Sequence, residues 1–237
     1  MMLKRKKRKN QLEQRARKLV VSASPRSVVS EQFRTLRSNI IFSTVDDELN
    51  TLLVTSATPG DGKSTVSANI ATLFAQDGKR VLLIDADMRK PTVHYTFNLV
   101  NSAGLSSVLT QQQTANEAIR QTEISPNLHI MTSGPIPPNP AELLGSRAMT
   151  RLVDSLKQQY EMIVFDAPPT LSVTDAQILA NQSDGTIFVV NSGATEKENL
   201  EKAISLLEKA RARVLGTVLN NYQIDKDGYY QYYGTQE

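Results

Sequence analysis

Six short apolar runs, separated by longer segments of helical character, restrict this chain more than any other feature. They fall at residues 51–55, 80–84, 128–131, 162–165, 186–190 and 214–219. Their apolar character is nearly continuous rather than alternating, which is what strands buried on both faces of a parallel sheet require. Between them, residues 64–76, 141–159, 175–181 and 195–211 are long enough to be crossover helices. The pattern predicts a doubly wound α/β domain with a mainly parallel sheet over residues 25–221, in which ligands sit at the carboxyl ends of the strands.

A chain of 237 residues can bury a substantial core without covalent staples. It has no cysteine, which removes thiol catalysis, disulfides and thiolate metal sites, and its two histidines, His94 and His129, stand far apart. No apolar run approaches the roughly 20 residues that cross a bilayer, and no secretory apolar region follows the basic start. The expected location is therefore the cytoplasm.

The net charge of +3 conceals a strong asymmetry, since residues 1–20 carry nine Lys and Arg against one Glu, a net of +8 that leaves −5 on the rest. A basic arm over residues 1–24 on an acidic body points to contact with an anionic membrane face or an acidic partner segment. A nucleic-acid-binding domain would carry its basic stripe on the folded part, so no nucleic-acid partner is expected. Next, residues 27–42 read as a helix with Val29, Phe33, Leu36 and Ile40 on one apolar stripe facing a core. Glu31, Arg34 and Arg37 fall on a separate polar arc, free to pair with each other or with a neighbouring subunit.

The strongest local signal is TSATPGDGKST at residues 55–65, placed after one predicted strand and before a predicted helix. Small residues there let backbone N–H groups close around a polyphosphate, and the helix N-terminus adds positive potential. Lys63 would reach the β and γ phosphates, Ser64 would ligate Mg²⁺, and Pro59, Gly60, Asp61, Gly62 and Thr65 complete the cradle. Ala57 stands where the strict pattern begins with glycine. In VLLIDADMRKP at residues 81–91, Asp85 and Asp87 leave a strand on the same side, with Arg89 close by. One would hold Mg²⁺ while the other takes a proton from an incoming hydroxyl, and the spacing leaves open which does which. Asp166 ends the apolar run of MIVFDAPP at residues 162–169 and is a third carboxylate for the metal. Asn220, at the end of the last run, would read a base edge or form a turn. The proline-rich loop at residues 133–140 is stiff.

Five of the seven tyrosines, Tyr222, Tyr229, Tyr230, Tyr232 and Tyr233, lie in the last sixteen residues among glycines and glutamines. Residues 222–237 read as a flexible tail whose extended length of roughly 50 Å can reach a site on the same or an adjacent subunit.

In order and combination, the phosphate loop, the aspartate motifs at 84–89 and 165–168, EQFRTLR at 31–37, the loop at 133–140 and the tyrosine cluster resemble the bacterial tyrosine kinases of capsular and exopolysaccharide synthesis, in their separate cytoplasmic Gram-positive form. The resemblance implies a P-loop NTPase fold of the partitioning-ATPase-like class that uses MgATP to phosphorylate the tyrosine cluster of a neighbouring subunit. It places Glu31, Arg34 and Arg37 at the contact of a homo-oligomeric ring, an octamer being the size considered. It further implies a transmembrane activator of the polysaccharide co-polymerase type as a separate chain that recruits the kinase to the membrane, a phosphotyrosine phosphatase, and sugar-nucleotide enzymes as substrates. The rival readings are a positioning ATPase without kinase activity and a nucleotide-regulated scaffold. The ATPase class commonly carries a second lysine where this chain has Thr58.

Overall fold

In the computed structural model, which describes residues 19–44 and 48–222, a seven-stranded sheet runs in the order β3-β4-β2-β5-β1-β6-β7. The strands are β1 Thr51–Ser56, β2 Val81–Asp85, β3 Ile119–Gln121, β4 Leu128–Met131, β5 Met162–Asp166, β6 Gly185–Asn191 and β7 Val214–Asn220. Every pairing is parallel except that of β3 with β4. The six predicted strands are all present. β3 was not foreseen, because only Ile119 of its three residues is apolar.

Burial follows the alternation of each strand. Leu53, Leu82, Ile84, Ile163 and Phe165 point into one apolar layer, and Leu52, Val54, Val81, Leu83 and Val164 into the other. Helix Lys63–Gln76 fills the second layer with Val66, Ile70 and Phe74. Helices Arg147–Lys157, Asp175–Gln182 and Lys197–Lys209 cover the first with Met149, Leu156, Leu179 and Leu207. Two covered faces explain why β1, β2, β4, β5 and β6 read as unbroken apolar runs.

Three expectations are corrected. The single helix foreseen over 141–159 is two, Pro140–Leu144 and Arg147–Lys157. Gly145 ends the first, and the hydroxyl of Ser146 accepts from the N–H of Met149 at 3.2 Å, which caps the second and lets the chain change direction. The folded part also begins earlier than residue 25. Leu19 and Val21 are buried in the second layer, and the Val21 N–H donates to Asn69 Oδ1 at 3.1 Å. Finally, the stripe of helix Val28–Phe42 faces the core only from Phe33 onward, and Val29 is 46% exposed. Most of the basic arm and the tyrosines at 229, 230, 232 and 233 lie outside the described residues. Among the described residues no helix is long and apolar enough to cross a membrane.

Candidate nucleotide and phosphotransfer site

β1 delivers the chain into the loop at residues 57–62, and helix Lys63–Gln76 leaves it. Gly60 and Gly62 both have left-handed backbones, with φ of +93° and +101°. At Gly62 a second constraint acts, since a Cβ there would lie 1.9 Å from Asn220 Nδ2. The loop therefore packs directly against the end of β7. The first N–H groups of a helix have no intrahelical acceptor and are available to an anion.

The four predicted charged residues converge behind this loop. β2 and β5 are neighbours in register, with Asp85 opposite Asp166, and both carboxylates are fully buried. Lys63 Nζ lies 3.1 Å from Asp87 Oδ2, and Asp87 Oδ1 accepts the N–H of Lys90 at 2.9 Å and of Arg89 at 3.3 Å. Asp85 Oδ2 accepts the N–H groups of Thr92 and Val93, both at 3.0 Å, while its Oδ1 has no hydrogen-bond partner. Asp166 Oδ1 accepts from Ser67 Oγ at 3.2 Å, and its Oδ2 is likewise without a partner. Thr92 Oγ1 reaches Ser64 Oγ at 3.0 Å, tying the end of the loop after β2 to the first turn of the phosphate-loop helix.

Burial pushes the Asp85 carboxyl well above the usual carboxylate range, and the facing Asp166 adds to it. Burial raises Asp166 too, with Lys63 opposing. Lys63 itself is pulled down by burial, but Asp166, Asp87 and Asp85 together hold its ammonium above the ordinary value. Three carboxylates stand around one ammonium, and two of their buried oxygens, Asp85 Oδ1 and Asp166 Oδ2, have no hydrogen-bond partner. A hard divalent cation fits those oxygens. Among the described residues no three acidic or imidazole side chains form a closed metal cage. Mg²⁺ does not need one, since it keeps several waters and takes one or two carboxylates together with phosphate oxygens.

Three side chains make partnerships that the sequence does not show. The Asp61 side chain bonds both within the loop and beyond it. It accepts from Thr58 N at 2.8 Å, from Thr58 Oγ1 at 3.1 Å and from Thr195 Oγ1 at 3.1 Å, so it fastens the loop to the segment after β6. Asn220 Nδ2 donates to the Asp61 carbonyl at 2.9 Å, fastening the same residue to β7. Arg89 forms a two-pronged pair with the buried Asp175, Nε to Oδ2 at 2.9 Å and Nη2 to Oδ1 at 3.0 Å. The sequence does not point to Thr92, Ser67, Thr195 and Asp175, since nothing local marks them and each is 7 to 134 residues from its partner in the site.

Glu31, Arg34 and Arg37 are not near this site. Arg34 pairs with Glu31 and donates to the Pro25 carbonyl at 2.9 Å, while Arg37 pairs with Asp77 at 2.6 Å, at the end of the phosphate-loop helix. They share helix Val28–Phe42 with exposed Val28, Ile41 and Phe42. Tyr222 is exposed just past β7.

Residues 49–220 match the family model described as an AAA domain. Over 230 residues the chain is 47% identical to the tyrosine-protein kinase YwqD of Bacillus subtilis strain 168, covering 97% of both chains. The chain belongs to the bacterial tyrosine kinases. Among solved structures it superposes on the chimerical protein CapA2B2 with a TM-score of 0.84 and 45% identity, over 87% of this chain and 91% of that one. A likeness of fold alone, at 24% identity and a TM-score of 0.63, extends to the septum site-determining protein MinD of Pyrococcus horikoshii OT3 complexed with Mg-ADP, covering 77% of this chain and 76% of that one. The fold is thus the P-loop NTPase fold of the partitioning-ATPase-like class, and the family within it is the kinase one.

Proposed function

We propose that this chain transfers the γ-phosphoryl group of ATP to tyrosines 222, 229, 230, 232 and 233 of a neighbouring copy, and thereby regulates the synthesis and export of a capsular or extracellular polysaccharide. The observation that carries the reading is Lys63 Nζ held by Asp87 beside the in-register pair Asp85 and Asp166, at the start of a helix that follows a phosphate loop.

The chain's own groups divide the work. Backbone N–H groups of residues 60–64 enclose the β and γ phosphates. Lys63 exchanges its Asp87 contact for them and neutralises charge as it develops on the transferring group. That exchange frees Asp87 Oδ2, which orients the incoming phenol and takes its proton. Ser64, Asp85 and Asp166 would hold Mg²⁺ directly or through water, and Asp87 borders the same space. When bound, Mg²⁺ supplies charge neutralisation of the terminal phosphates. Asn220 keeps one amide hydrogen and its carbonyl for a base edge, having spent the other hydrogen on Asp61.

The wider setting follows the same reading. Helix Val28–Phe42 supplies the contact of a ring, such as an octamer. A transmembrane polysaccharide co-polymerase-type chain activates the kinase and recruits it from the cytoplasm to the membrane, and the basic arm adds attraction for an anionic surface of about 1 kcal/mol per charge. A phosphotyrosine phosphatase reverses the modification, and sugar-nucleotide enzymes are further substrates. The test is incubation with γ-labelled ATP and the cytoplasmic fragment of the activator. Phosphotyrosine supports the kinase, released phosphate alone identifies a positioning ATPase, and neither identifies a scaffold.

A further inference from the structure

When Lys63 leaves Asp87 for the phosphates, Asp87 gives up the partner of its Oδ2. What then holds the carboxylate is its Oδ1, on the N–H groups of Lys90 at 2.9 Å and Arg89 at 3.3 Å. Both donors belong to the loop between β2 and helix Val93–Phe97. The ends of that loop are fixed. The Ala86 N–H donates to the Asp166 carbonyl at 2.9 Å, and the Thr92 and Val93 N–H groups donate to Asp85. Arg89 and Lys90, between those ends, are exposed.

The side chain of Arg89 fixes this middle. Its Nε and Nη2 grip both oxygens of Asp175, at 2.9 and 3.0 Å, and Asp175 has no exposed surface. Two parallel bonds between planar groups set an angle as well as a distance. Asp175 opens helix Asp175–Gln182, whose Ala176 and Leu179 are buried in the first apolar layer. The segment before that helix is tied to the end of β1 and the start of the phosphate loop. Thr170 N donates to the Ser56 carbonyl at 2.8 Å and Leu171 N to the Ala57 carbonyl at 3.3 Å. The Arg89–Asp175 pair, 86 residues apart, thus references the loop bearing Asp87 to the loop for the phosphates by a route that does not pass through Lys63.

We infer that Asp175 is a positioning residue of phosphotransfer: through the Arg89 fork it keeps Asp87 in place while the phosphates engage Lys63, a role that rests on the kinase reading above. Both Asp175 oxygens are spent on Arg89, so Asp175 acts through that residue and not on the substrate. The effect belongs to turnover. Misplacing a reacting group by about 1 Å costs up to about a hundredfold in rate. The phosphate cradle itself uses neither Arg89 nor Asp175, so nucleotide binding is left alone.

The test uses full-length chains with MgATP and the activator fragment, and the full-length Lys63→Met chain as tyrosine substrate. Asp175→Asn keeps the side-chain volume and buries no unpaired charge, while leaving the guanidinium one acceptor in place of two. Its kcat should fall about tenfold to thirtyfold, with the KM for the substrate chain and the affinity for an ATP analogue within about twofold of wild type. Arg89→Lys keeps the charge but loses the fork, and should show the same split. In an Asp87→Asn background, where the positioned group is already gone, Asp175→Asn should lower the residual kcat by less than about twofold. An unchanged kcat in Asp175→Asn overturns the role, as does a wild-type rate in Arg89→Lys. An equal loss with and without Asp87 also overturns it, since Asp175 would then support the fold at large. Wild-type chain that forms no phosphotyrosine on the substrate chain overturns the kinase reading itself, and this role with it.

Discussion

Asp85 and Asp166 stand opposite each other at the ends of adjacent parallel strands, both wholly buried, and each keeps one oxygen without a hydrogen bond. Two carboxylates this close cannot both ionise cheaply, and burial raises both. A carboxyl raised on folding contributes stability that is complete below its ordinary value of 3.8 and lost as pH climbs through the raised one. The nucleotide-free protein should therefore melt at a lower temperature at pH 8 than at pH 5.5, by calorimetry, as far as this pair is concerned. Asp85→Asn keeps the acceptor for Thr92 and Val93 and should remove most of that slope. It should add on the order of 1 kcal/mol at pH 8, or about 2–4 °C, while abolishing phosphotransfer. A slope unaffected by the substitution would assign the pH dependence elsewhere.

Lys63→Met should lower phosphotyrosine formation by at least about a hundredfold, because no other cation reaches the transferring group from this loop. The substitution also strands Asp87 beside the buried pair. Stability should fall by about 1–3 kcal/mol at pH 8 and recover towards acid as the carboxyls protonate. Urea denaturation at the two pH values reads both signs.

The Asp61 side chain fastens the phosphate loop. Asp61→Ala loses its bonds to Thr58 and Thr195 and should weaken ATP-analogue binding about five- to tenfold, at roughly 1 kcal/mol. Asp61→Asn keeps an acceptor and should stay within about threefold of wild type. Fluorescence titration distinguishes them, and equal losses in both variants would mean that the charge, not the fastening, matters.

Gly62→Ala should abolish nucleotide binding, since it meets both a left-handed backbone and Asn220 Nδ2 at 1.9 Å. Adding Asn220→Ala removes the collision but not the backbone strain, so the double variant should recover binding only in part. Full recovery in a titration would show that the collision alone was at fault.

Arg34→Ala and Arg37→Ala should weaken self-association more than nucleotide binding, by light scattering and titration. Arg37→Ala also gives up its pair with Asp77, so it alone should cost about 0.5–1 kcal/mol in the monomer.

Much of the fold was legible beforehand. Strands buried on both faces must be apolar throughout, so β1, β2, β4, β5 and β6 announced themselves; β7 showed as an apolar run although it is an edge strand with no buried residue, and the phosphate loop was visible because its glycines and Lys63 lie within four residues. β3 and the break after Leu144 were not legible. A three-residue edge strand has no period to detect, and a serine that caps one helix looks the same in sequence as a serine inside a longer one.

What the amino-acid sequence determined by itself is the doubly wound class, the ends of the strands as the reactive edge, and the identity of Lys63, Asp85, Asp87 and Asp166. These follow from local chemistry, namely apolar runs, glycine turns and carboxylates emerging from strands. Tertiary structure alone decided that Asp85 faces Asp166 while Asp87 takes Lys63, that Asp61 serves the loop, and that Arg89 belongs to Asp175. Such pairings join residues 24 to 134 positions apart, and only the order of strands in the sheet brings them together.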